Sequence, residues 1–176
     1  MNKYRIAVLL ILITLAVAIR FLPQPPNFTP VAALALFSGV FFRGRFAAML
    51  APLAVMMISD LFLGWHNTIP FVYLSFALMV LIGYSIRSRV TVGYVAGGGI
   101  TGTMLFFIIT NFGVWLAGSM YPKTLEGLAA AYIAAIPFLH YMLISTLLYS
   151  ALFFGTFIWA EKYFPVIRDE HKHIRA

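Results

Sequence analysis

The sequence contains no cysteine, and only five of its 176 residues are acidic, against twelve lysines and arginines. Without cysteine there can be no disulfide, no thiolate metal site and no cysteine nucleophile. Carboxylates are also unevenly spread: Asp60 is the only one before Glu126, so paired-carboxylate chemistry is denied to residues 1–125. No His-Glu-x-x-His and no Gly-x-Ser-x-Gly motif occurs, which removes the usual zinc-protease and serine-hydrolase signatures. Nothing calls for a cofactor, and the chain is not read as an enzyme.

What the sequence does have is apolar surface. Hydrophobic residues make up 62% of the chain and charged ones 10%, with a mean hydropathy of +0.96. A soluble body of this size keeps too much surface to hide so much hydrocarbon. The expected class is an all-α integral membrane protein, with one transmembrane domain over residues 1–160 and a charged cytoplasmic tail over 161–176. The net charge of +7 could suit nucleic acid. Here the basic residues stand singly or in pairs beside apolar segments, as topology signals do, so no nucleic-acid partner is expected.

Charged and proline-rich breaks divide the chain into six apolar segments: residues 6–22, 31–42, 46–63, 70–86, 92–117 and 137–160. Ala16-Val17-Ala18 resembles a signal-peptidase site, but the apolar run continues to Leu22, and a retained first helix is expected. Residues 23–30 hold four prolines and cannot be helical throughout. The second segment is short for a span, so it either recruits that loop or is sheltered by neighbours. Pro52 is a candidate kink, and Gly93 with Gly97 and Gly98 with Gly102 are spaced for close helix packing. Residues 126–135 read as a short helix near the membrane surface. His171 and His173 read as part of a solvated end, so no metal site is expected.

Lysine and arginine alternate along these segments. Six spans with both termini in the cytoplasm place 10 of the 12 basic residues inside. On that topology the polar side chains at membrane depth collect toward the outer face. Asp60, Arg20, Asn111, Trp115, Tyr73 and His140 lie near outer helix ends, and Asn27, His66 and Asn67 lie in outer loops. An ionisable group in a span needs a partner or a wet cavity. Arg20 and Asp60 are therefore expected to pair, and Asn27, Asp60, His66, Asn67, Tyr73, Asn111, Trp115 and His140 to line an outward-facing substrate cavity. Asn27 and Thr29 could equally cap the next helix.

Several runs carry a family resemblance: Pro26-Asn27-Phe28-Thr29-Pro30-Val31, Ser59-Asp60 with Gly64-Trp65-His66-Asn67, Asn111-Phe112-Gly113-Val114-Trp115, Tyr121-Pro122-Lys123-Thr124 and Ala134-Ala135-Ile136-Pro137-Phe138. Over roughly residues 20–155 the chain resembles small bacterial membrane proteins related to the S components of energy-coupling-factor (ECF) transporters, and is similar to cobalamin transporters of the BtuM type. The resemblance implies a six-helix bundle in the cell inner membrane. It would bind a vitamin or corrinoid-type solute on the outer side for uptake, with a transmembrane coupling subunit and ATPases as further partners. BtuM-like cobalamin binding uses a cysteine on cobalt, so here His66 or His140 would have to substitute, or the ligand differs. S components carry small residues four apart on the first helix for docking; the first helix here lacks a clean pair, and Ala35 with Gly39 and Ala47 with Ala51 offer one elsewhere. The competing expectations are a ligand-free scaffold of the MreD type and, less favoured, an intramembrane enzyme.

Overall fold

The computed structural model describes residues 3–168. Six α-helices account for most of them, with no strand among the described residues: α1 (Lys3–Arg20), α2 (Val31–Phe41), α3 (Arg45–Leu63), α4 (Ile69–Ile86), α5 (Val92–Ala117) and α6 (Leu125–Tyr163). A short 3-10 turn, Pro165–Ile167, follows. Four of the helices, α3 to α6, are long and apolar enough to cross a membrane. The protein is a helical membrane protein.

Local chemistry explains several of the helix ends. α3 stops at Gly64, whose φ of +101° is a conformation that L side chains rarely adopt. Pro70 sits in the first turn of α4, where its missing N–H costs nothing. Thr91 and Thr124 cap α5 and α6, their hydroxyls accepting from the amides of Tyr94 and Gly127. α2 has no side-chain cap, so Asn27 and Thr29 do not serve that purpose.

The fold is built around α2. Every one of its 11 residues is buried, and it touches each of the other five helices. A helix apolar on all sides lies in lipid or in a protein interior, and this one, at about 16 Å far shorter than the ~30 Å hydrocarbon core, lies in the interior. Its closest neighbour is α4. A Cβ added at Gly39 would lie 2.2 Å from the Val80 carbonyl oxygen, and one at Gly83 would lie 2.1 Å from that of Leu36. The two backbones can meet only because both residues are glycine. Ala35 and Gly39 are thus interior packing, and no docking pair lies there.

Enclosure leaves the last carbonyls of α2 without helical partners. Arginines supply the donors. Arg87 Nη2 donates to the carbonyls of Phe42 at 2.7 Å and Val40 at 3.3 Å, and Arg5 Nη2 donates to Phe41 at 3.3 Å. Arg5 itself is 2% exposed, forms an ion pair with Glu161, and lies 4.9 Å from the Phe157 ring centroid. The arginines of this end therefore build the bundle as well as marking its topology.

Two expectations are corrected. Residues 126–135 and 137–160 are one continuous helix, α6, with Pro137 inside it. Its 39 residues extend about 58 Å, well beyond a hydrocarbon core. The residues from Glu161 onward do not begin as a free tail: α6 runs to Tyr163, and Ile167 is buried against α1. Of the glycine pairs on α5, Gly98 and Gly102 pack against Ile82, Ile86 and Met79 of α4. Gly93 and Gly97 have no such neighbours. His171 and His173 lie outside the described residues.

Candidate functional site

At the end of the bundle opposite Arg5 and Arg87, the helices open around a cavity of about 280 Å3. Arg20 closes α1, and the residue 23–30 loop brings Asn27 and Thr29 to the wall. Asn27 holds a left-handed backbone (φ 62°), which asparagine tolerates better than most residues, and its carbonyl accepts from Ser145 Oγ on α6. Met56 comes from α3, His66 and Thr68 from the α3–α4 turn, and Thr110 and Asn111 from α5. Phe76, Phe106, Phe107 and Phe138 also line it, with Met142 of α6.

Among the described residues, Arg20 is the only lysine, arginine, aspartate or glutamate on the wall. Its Nη2 lies 3.3 Å from Asp60 Oδ1, and its Nε donates to Ser59 Oγ. Asp60 is 2% exposed, and its other oxygen accepts from the Tyr73 hydroxyl at 3.1 Å. A buried carboxylate held this way orients the guanidinium as well as neutralising it. The remaining nitrogen, Nη1, has no protein partner among the described residues. Asn111 Nδ2 donates to the Phe107 carbonyl at 2.8 Å, which leaves its side-chain oxygen as an acceptor. Thr110 uses its hydroxyl hydrogen on the Phe106 carbonyl. His66 Nδ1 is 2.7 Å from Thr68 Oγ1.

The sequence-derived candidates divide into three groups. Asn27, His66 and Asn111 line the cavity, as does Arg20. Asp60 and Tyr73 do not: Asp60 holds Arg20, and Tyr73 holds Asp60. Asn67, Trp115 and His140 are elsewhere. Asn67 is exposed on its turn, and His140 is exposed with its ring 4.0 Å from that of Tyr141. Trp115 fastens the α5–α6 loop, donating from Nε1 to the Pro122 carbonyl at 2.9 Å while Lys123 lies over its ring. No group of three histidine, aspartate or glutamate side chains converges among the described residues, so His66, His140 and Asp60 do not form a metal-ligand set.

Sequence reading missed the aromatic lining. Phe76, Phe106, Phe107 and Phe138 sit on helices where apolar residues occur on every face, so nothing distinguishes a cavity phenylalanine from a lipid-facing one. The spacing of Phe106, Phe107, Thr110 and Asn111 on one helical face was the available signal. The arrangement can bind a small amphipathic molecule, since donors, acceptors and aromatic rings line the same cavity.

A family described as "Family of unknown function (DUF6580)" matches residues 1–167. No curated protein and no solved structure matches the chain.

Proposed function

The chain belongs to the DUF6580 family, and from that premise we propose that it is a solute-binding membrane transport protein, similar in plan to an ECF transporter S component. The observation that carries this reading is the cavity itself: a site open at one end of the bundle, with one oriented arginine, two asparagines and several phenylalanines on its wall. A scaffold has no use for such a site. Its volume lies at the lower edge of the roughly 300–1,000 Å3 usual for ligand pockets. That favours a vitamin-sized or smaller solute over a corrinoid macrocycle, as does the position of His140 away from the wall.

Uptake across the inner membrane requires the cavity to face outward. In this reading the chain crosses six times with both termini in the cytoplasm, α2 completing its crossing through the residue 23–30 segment. The charge distribution supports that orientation. Arg5, Arg43, Arg45, Arg87, Arg89, Lys162 and Arg168 belong to the end away from the cavity, and Arg20 and Lys123 to the cavity end. The test is to purify wild type and Asn111→Leu in lipid nanodiscs and identify small molecules retained by each. Wild type is expected to carry a small amphipathic solute that the cavity-filling variant lacks. If neither retains a solute and none of a panel of vitamins and metabolites raises the melting temperature of wild type, the reading fails.

A further inference from the structure

A second concavity, remote from the polar cavity, lies between the first half of α5 and the second half of α6, with a volume of about 560 Å3. The two helices meet closely further along, where Thr103 Oγ1 is 3.2 Å from Thr146 Oγ1 and a Cβ at Gly99 would touch Thr146. Toward the basic end they part. Val95 and Ala96 form one wall, Ala151, Gly155 and Ile158 the other, and a Cβ added at Gly155 would meet nothing within 4 Å.

Charge marks one end of this slot. Val90 and Thr91 line it, and the residue before them is the exposed Arg89. On α6, Ala151, Gly155, Ile158 and Lys162 follow one another at helical spacings of four, three and four, so exposed Lys162 continues the same stripe beyond the slot. Glu161, the only acidic side chain at this end among the described residues, is committed to Arg5. An apolar slot with cations at one end only matches an amphiphile with a tail and an anionic head. A crossing helix would present side chains along its whole length and has no need of that asymmetry.

We propose that the α5–α6 slot binds one acyl chain of an anionic phospholipid, with Arg89 and Lys162 holding the phosphate. The site is independent of the solute cavity. The experiment is native mass spectrometry of the purified full chain, titrated with phosphatidylglycerol and phosphatidylcholine of identical acyl chains. Phosphatidylglycerol is expected to bind at least about tenfold more tightly, the scale of two basic contacts at a membrane surface. The double variant Arg89→Gln/Lys162→Gln is expected to lose that preference. Gly155→Leu, which fills the slot, is expected to weaken retention of both lipids, and Gly97→Leu, on an open face of α5 outside the slot, to leave both unchanged.

Equal binding of the two lipids by wild type would overturn the proposal, and this comparison stands whether or not any variant is stable. Undiminished phosphatidylglycerol binding by a folded Gly155→Leu would also overturn it. Glycerol 3-phosphate binding as tightly as phosphatidylglycerol would reduce the site to an anion site and overturn the acyl-chain assignment. A dimer abolished by Gly155→Leu would replace the lipid with a second copy of the chain.

Discussion

Asp60 is the residue on which the site turns. Alone in an apolar segment it would be costly, and its two oxygens are matched by Arg20 and Tyr73. Removing one partner of a buried pair leaves a charge stranded, at a cost of about 3–5 kcal/mol. The lower end applies here, because the Arg20 side chain is 16% exposed. Arg20→Met should therefore lower stability by about 3 kcal/mol, and adding Asp60→Asn to it should recover much of the loss. Unfolding of the single and double variants in mixed micelles measures this. Additive losses would mean that the two side chains do not support each other. The pair could be anticipated from the sequence, since a lone carboxylate and a lone arginine expected at the same end of the bundle have few alternatives. The role of each could not be. Which of the two faces the cavity depends on how α1 and α3 are rotated about their axes, and in helices apolar on every side no periodicity records that rotation.

Among the elements, α2 decides the architecture, and its tightest contact is backbone on backbone. A methyl group at Gly83 has nowhere to go, so Gly83→Ala should destabilise by about 1–3 kcal/mol or more, whereas Gly97→Ala should be close to neutral or slightly stabilising because its Cβ meets open space. Melting temperatures of the two alanine variants in one detergent give the comparison. Arg87→Met should cost about 1–3 kcal/mol by leaving the Val40 and Phe42 carbonyls without their donor, and Arg87→Lys should recover only part, a single ammonium being a poorer fit to two carbonyls than a guanidinium. Helix boundaries were largely readable because prolines, glycines and arginine pairs punctuate the chain: α5 spans the residues that its flanking Thr91 and Gly118 suggest. α6 was misread at Pro137, where a residue favoured at helix starts is instead carried inside a long helix. The Gly39–Gly83 contact went unseen because each is a single glycine on its helix, and only the fold pairs them.

At the scale of the whole molecule, the two ends differ in kind. One is a frame of arginines bonded to the carbonyls of a buried helix; the other is a cavity lined by phenylalanines and by one ion-paired arginine. An uptake protein needs the cavity to meet the outside and the arginines to meet the cytoplasm. The absence of native cysteine makes this directly measurable, since every introduced thiol is the only one present. In intact cells, Asn111→Cys should react with a membrane-impermeant maleimide added outside, and Arg43→Cys should react only after the membrane is opened. Solutes that bind in the cavity should slow the Asn111→Cys reaction without affecting a cysteine placed at exposed Asn67. Labelling of Asn111→Cys solely from the cytoplasmic side, or at a rate that no small solute changes, would contradict an outward-facing binding cavity.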